Sequence, residues 1–477
     1  MDWRRIWNGP RWAALVLAIA LAATAAVHAA ATQQVQREAV ADSAPPPAAL
    51  PHIELEPVAE AWRVRYTLPR PATELRFART DERGHRARDW RPVDPQLQLL
   101  LIDGEEVVRR RDGAGFTTAA FDAPPRYVSL EKDYAPFSPF GDGGLLIHSG
   151  RFHACAGSCD GVDSPRWSFT VTPPADGHLL HDGRVVRGEL RFLDSGSGTN
   201  LYAGKATPVE TSHVLAVVDA AFPAAVQTQL TELFPRLMDF YAAELGALAS
   251  KPMLFASSDV AHAGGGYGHQ GGTLPGQVFM HLYGRSPDGD AESLAASMNW
   301  FFAHEAAHLF QRYDLAADPA QSWIHEGGAE ALAAVALTRF GLLDARALQA
   351  RVEQARAECA DALAARVLNA SASAAAFRSY YSCGLLMHLA VDAAARAVSG
   401  DTCGLTCVWR GFLARVDSGA RWEQETFLAA VDAHAGAETA AFLRSLATEP
   451  LADPQATLSA GLAAAGVVGE PAEDAPH

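Results

Sequence analysis

Phe302-Ala303-His304-Glu305-Ala306-Ala307-His308-Leu309 and, a little further on, Trp323-Ile324-His325-Glu326-Gly327-Gly328-Ala329-Glu330 are the stretches on which the reading of this chain turns. Residues 292–313 have helical period. The two histidines, four positions apart, therefore stand on one face, and their imidazoles can meet on a single ion. Glu305 lies about 100° round the helix from His304. Its carboxylate falls beside that ion rather than on it, where a general base belongs. With 17 histidines in the chain, this spacing alone is only suggestive. A catalytic zinc takes three protein ligands and keeps one position open. Glu326, on the next helical stretch (322–340), is expected to be the third ligand, with one Zn²⁺ per chain. Glu330, one turn further, is expected to accept the free N–H of a ligating histidine. Ala329, Ala331, Leu332, Ala333 and Ala334 make that helix mostly buried, and a buried acid needs a partner.

These residues resemble the zinc site of the gluzincin metallopeptidases. They are nearest to aminopeptidase N and the bacterial glycyl aminopeptidases, whose third ligand opens an Asn-Glu-Gly-Phe-Ala sequence. His325 replaces the Asn here and Gly328 the Phe. The resemblance implies an α+β chain, with a β-sandwich-like domain ahead of a thermolysin-like, mainly helical zinc-peptidase domain. A second match lies downstream. Tyr380-Tyr381-Ser382-Cys383-Gly384 is similar to the family's Tyr-Glu-Lys-Gly segment, whose tyrosine steadies the oxyanion. Carried over, that role falls on Tyr381, with Tyr380 the alternative one residue away. A neutral phenol suits the task, because its hydrogen bond strengthens as charge develops on the carbonyl oxygen. The plainer reading is an aromatic packed at a helix start.

One departure bears on substrate. In these families a glycine-rich edge ahead of the zinc helix carries a glutamate that holds the substrate's free α-amine. From Ala261 to Tyr283 this chain has no acid, and Gly265, Gly266, His269 and Gln270 occupy the corresponding stretch. Glycines let such a strand pass close to a peptide backbone, so these four residues and His325 are the expected substrate-binding positions. The reading is a zinc metallopeptidase acting on peptides or proteins that is not a strict aminopeptidase. Two alternatives stand beside it: a non-catalytic, zinc-stabilised peptide-binding protein, and a hydrolase of a non-peptide amide or ester.

The rest of the chain sets the context. Its 477 residues suit two or three domains. A net charge of −16, with no compensating basic run, excludes nucleic acid as a partner. Arg4, Arg5 and Arg11 precede an unbroken apolar run over 13–27 and small residues at Ala29–Ala31. That is the pattern of an export signal over residues 1–31, periplasmic or secreted in outcome. An uncleaved membrane tether is the alternative. Six cysteines agree with export, and three local disulfides are expected: Cys155–Cys159, Cys359–Cys383 and Cys403–Cys407.

A proline- and alanine-rich linker (32–51) leads to a β-rich region (52–208), where Trp62–Leu68 alternates apolar and polar residues. The catalytic region is expected over 209–466, with buried strands at 214–218 and 252–256 and a helix over 224–245. Beyond it lies a flexible tail (467–477), and the chain from Ala447 onward is expected to wrap the surface. His388 reads as a satisfied core residue and His281 as a strand residue.

Overall fold

Trp62, Val64, Tyr66 and Leu68 turn inward along the strand Ala61–Ala72, while Arg63, Arg65 and Thr67 face away. That period of two repeats through the first half of the protein. The computed structural model describes residues 50–467, apart from 82, 131–132, 158, 160–165, 260–267, 285–290 and 374–375. The export signal, most of the linker, the tail from 468, and Gly265 and Gly266 lie outside the described residues.

The first half forms three sheets, the first two of which share one core. A six-stranded sheet runs in the order Leu190–Ser195, Arg166–Val171, His52–Val58, Ala61–Ala72, Phe116–Ala123, Arg91–Pro92. Its pair His52–Val58 with Arg166–Val171 is parallel, which the long chain between the two strands permits. A four-stranded sheet (Ala154–Ala156, Glu74–Phe77, Glu105–Arg110, Leu97–Ile102) shares its core, with Ile53, Val64, Leu75, Phe121 and Phe169 almost wholly buried. The third sheet has five strands in the order Arg184–Val186, His178–His181, Asn200–Gly204, Leu145–His148, Phe137–Pro139.

The second half opens with another five-stranded sheet, built from β1 (Val209–Glu210), β2 (Leu215–Val218), β3 (Met253–Asp259), β4 (Gly268–Leu274) and β5 (Gln277–Tyr283). Its order is β1-β2-β3-β5-β4, with β2, β3 and β5 parallel and β4 antiparallel at the edge. Both faces are covered, so alternate residues go to different cores. Leu215, Val217, Met253, Phe255 and Phe279 pack on Phe140, Leu146, Leu180 and Tyr202 of the third sheet and its turn. Ala216, Leu254, Ala256, Val278 and Met280 pack beneath the helices. Helix α1 (Ala224–Leu245) connects β2 to β3, as its periodicity indicates.

After the sheet come α2 (Ala291–Gln311), α3 (His325–Arg339), α4 (Ala345–Ala365), α5 (Arg378–Ser399), α6 (Leu405–Asp417), α7 (Gln424–Ala435), α8 (Ala437–Thr448) and α9 (Pro454–Ala465). α2 packs between α1 and α3, and α3 lies against α5. The last segment departs from expectation, since it is helical rather than a surface wrap. Asp453 caps it by accepting from the Ala456 N–H, Pro454 sits in the first turn, and Leu458 and Leu462 make a buried i,i+4 stripe. All three expected disulfides are present, and Cys359–Cys383 ties α4 to α5. No helix among the described residues is long and apolar enough to cross a membrane.

Candidate active site

The histidine pair stands on the second half of α2, whose Ala303, Ala306 and Ala307 are fully buried against the core. Small residues there let α1 and α3 approach closely, and the opposite side of the helix faces a cavity of about 1150 Å³. His304, Glu305 and His308 all border it. The two Nε2 atoms are 3.0 Å apart, and Glu326 Oε2 on α3 lies 3.4 Å from His304 Nε2 and 3.3 Å from that of His308. Tetrahedral zinc with bonds of about 2.0–2.1 Å holds its ligand atoms about 3.4 Å apart. The residues present fit that ion.

Their electrostatics also ask for a cation. Glu305, Glu326 and Glu330 gather in a largely buried space, where unpaired anions are costly. Burial opposes a charge on His304, yet Glu326 and Glu330 outweigh it and hold the imidazole pKa well above its usual value. Burial likewise opposes ionisation of Glu326, but His304, His308 and His325 hold it well below the usual carboxylate range. Among the described residues the same donor types also meet at Asp81, His85 and Glu106. There the Arg86 guanidinium already supplies the cation to Glu106.

Each of the two imidazoles has a partner behind it. His304 Nδ1 lies 3.1 Å from Glu330 Oε1, close but not aligned as a straight hydrogen bond. Glu330 accepts from Trp300 Nε1 at 3.0 and 3.1 Å, and Arg351 stacks 3.5 Å above the Trp300 ring. His308 Nδ1 is 2.6 Å from Gln311 Oε1, and the Gln311 amide donates to the His325 carbonyl at 3.0 Å. These contacts turn both Nε2 atoms toward the cavity. Glu305 is fixed by Thr273 of the edge strand β4, whose hydroxyl is 2.7 Å from Glu305 Oε2 and 2.8 Å from its carbonyl oxygen. Arg312, in the left-handed conformation (φ 51°, ψ 38°), ends α2 and turns the chain back. Tyr313 then donates its hydroxyl to the Thr273 carbonyl.

Tyr381 approaches from α5. Its ring stacks on His304 with centroids 5.8 Å apart, and its hydroxyl lies near Glu326. Burial first, then the nearby carboxylates, raise its pKa and keep the phenol protonated. Tyr380 is fully buried and does not border the cavity. α5 can come this close because two glycines meet. A Cβ on Gly327 would overlap the Gly384 backbone, and one on Gly384 would lie 2.7 Å from the Trp323 carbonyl oxygen.

The other expected residues divide. His269, Gln270 and His325 border the cavity. Gln270 is committed elsewhere: its Oε1 accepts from the Tyr127 hydroxyl at 2.8 Å and its amide donates to the carbonyls of Leu130 and Asp133. It ties β4 to the first half of the chain. His325 stacks on Tyr313, 5.5 Å between centroids, and lies 3.6 Å from Glu326. Sequence reasoning did not find Gln311, Thr273, Trp300, Tyr313, Asp133 or Tyr134. Gln311 was accessible to it, three residues after His308 on the same helix face. Asp133 and Tyr134 enter the cavity from the β-rich half, and no local pattern announces them. His388 and His281 are core and strand residues, as expected.

No protein-family model matches the chain, and no curated protein matches it. Solved structures do resemble it. The aminopeptidase N family protein from Idiomarina loihiensis superposes with a TM-score of 0.60 at 13% identity, over 86% of this chain and 78% of that one. An M1 zinc metallopeptidase from Deinococcus radiodurans (TM-score 0.43, 15% identity, 85% and 94% covered) is a looser match. So is native yeast LTA4 hydrolase (TM-score 0.46, 10% identity, 85% and 68% covered). At such identities the likeness is one of architecture, a sheet-rich first half followed by a helical second half, and this chain has a gluzincin aminopeptidase-like fold.

Proposed function

We propose that the protein is an exported zinc metallopeptidase that hydrolyses peptide bonds with an activated water and is not a strict aminopeptidase. The observation that carries this reading is the meeting of His304 Nε2, His308 Nε2 and Glu326 Oε2 at zinc-like separations, in a cavity that also holds Glu305 and Tyr381. The likeness in fold to an aminopeptidase N family protein supports it. The signal-like sequence of residues 1–31 and the three disulfides support export.

His304, His308 and Glu326 would hold the ion. Zinc, when bound, supplies Lewis acidity and makes a water acidic enough to attack at neutral pH. Glu305 takes the proton of the attacking water and passes it to the leaving amine. Thr273 occupies one of its oxygens and so leaves the other for the water. Tyr381, kept protonated, donates to the oxygen that gains charge in the transition state. Glu330 and Gln311 keep the two imidazoles in the tautomer that offers Nε2 to the cavity.

Glu305→Gln should retain one zinc per chain by metal analysis and lose about 10²- to 10⁴-fold in kcat. Removing zinc with a chelator should abolish turnover, and adding it back should restore it. Peptide hydrolysis by Glu305→Gln at the wild-type rate would sink the reading. A digest of a peptide mixture, scored for terminal against internal cleavage, decides the exopeptidase question.

A further inference from the structure

Arg378 is the only lysine or arginine among the described residues that border the candidate active-site cavity. It is exposed, and no carboxylate among the described residues lies within ion-pair distance of it. It also borders a smaller adjoining cleft with Glu330 and Glu358. Those acids are engaged elsewhere, Glu330 by Trp300 and His304, and Glu358 by the Gln354 amide at 2.9 Å. Arg378 is moreover the first residue of α5. The helix dipole disfavours a cation there, so fold stability gives no reason for this charge. Tyr381 follows three positions later on the same helix face, about 4.5 Å along the axis.

The acids of the cavity tell the complementary half. Asp133 is held by Arg79 at 3.0 Å and by Arg151. Glu305 is bonded by Thr273, and Glu326 sits among the histidines. None of the described carboxylates lining the cavity is left over for a substrate ammonium. The charge on offer is a guanidinium, whose planar fork pairs with carboxylates through two hydrogen bonds.

We propose that this cavity selects its substrates through a carboxylate held by Arg378, close to the scissile bond. The proposal rests on the peptidase reading and names the substrate class for it. Each extended residue spans about 3.5 Å, so the carboxylate lies within one or two residues of the carbonyl that Tyr381 serves. Two sources offer that chemistry: the free C-terminus of a short peptide, and an Asp or Glu side chain within a longer one.

Both sources can be tested on the full-length protein with peptides of one neutral core. One form ends in a free carboxylate, one in an amide, and a third set ends in an amide but carries a single glutamate scanned along the core. Wild type should cleave a carboxylate form with kcat/KM about 10- to 100-fold above the neutral amide. The favoured form identifies the source. Arg378→Ala should bring that ratio close to one, and Arg378→Lys should keep part of it. Equal cleavage of all forms by wild type, or an undiminished preference in Arg378→Ala, overturns the proposal while Glu305-dependent hydrolysis keeps the peptidase reading. If no form is cleaved, the peptidase reading falls. Calorimetric binding of the same peptides to Glu305→Gln, with and without Arg378→Ala, then decides alone. Tighter binding of a carboxylate form that needs Arg378 upholds the recognition site, and equal binding overturns it.

Discussion

His304 and His308 meet different partners behind their rings. Glu330 is a charged neighbour delivered by α3, whereas Gln311 is a neutral amide one turn along α2 itself. Because Gln311 also donates to the His325 carbonyl, it couples the orientation of His308 to the start of the helix that carries Glu326. Gln311→Leu should therefore weaken zinc binding by about 10- to 100-fold, measured by competition with a chromogenic chelator. An unchanged affinity would show that the amide does not orient the ring. At this scale the meeting of His304 and His308 was legible in the sequence, because a 3.6-residue period leaves a His-x-x-x-His pair little choice but one face. Gln270 was misread. Its placement beside the cavity was foreseeable from the glycine-rich stretch, but its amide is consumed by Tyr127 and two carbonyls from another sheet-rich region. A distant partner of that kind leaves no local trace.

α3 and α5 meet through Gly327 and Gly384, and this contact brings the Tyr381 hydroxyl to Glu326. The glycines of Glu326-Gly-Gly and of Tyr381-Ser-Cys-Gly thus serve one purpose, removal of two β-carbons so that backbones can touch. Gly328 adds to it, since a β-carbon there would run into the Trp409 ring of α6. Gly384→Ala should cost about 1–3 kcal/mol in urea unfolding, as forced overpacking does. It should also lower kcat more than zinc content, because the helix bearing Tyr381 is pushed outward while His304 and His308 stay on α2. Stability equal to wild type would mean that the two helices can part without penalty. The Cys359–Cys383 bridge holds α5 to α4 on its other side. Helix positions in this half were readable from period alone. The terminal helix α9 was missed because alanine and glycine mask a stripe of only two leucines, Leu458 and Leu462.

Two buried histidines give the whole molecule a dependence on acid. Burial pushes His148 down to about 3 and His388 down to about 4, so both are neutral in the folded protein. In the unfolded chain each titrates near 6.5. Between those values the unfolded state binds more protons, and stability falls as pH drops from about 6.5 towards 4. For His388 the loss is on the order of 2–3 kcal/mol over that window. His388→Gln retains a donor for the Gly384 carbonyl. Compared with wild type by urea unfolding at pH 7 and pH 4.5 under matched zinc conditions, it should show a smaller drop. An equal drop would assign the acid sensitivity to other groups. At this scale, too, the cavity is a joint product of both halves, with Asp133 and Tyr134 entering from the β-rich side and Arg378 from α5. The sequence by itself determined which candidate residues share a helix face and which helices bear them, because helical period and residue spacing act over a few residues. Only the tertiary structure decided what Glu305 and Gln270 are bonded to and which charge the cavity leaves free. Those outcomes depend on chain segments 32 residues apart for Glu305 with Thr273 and 143 apart for Gln270 with Tyr127 meeting in one fold, and no local pattern encodes that meeting.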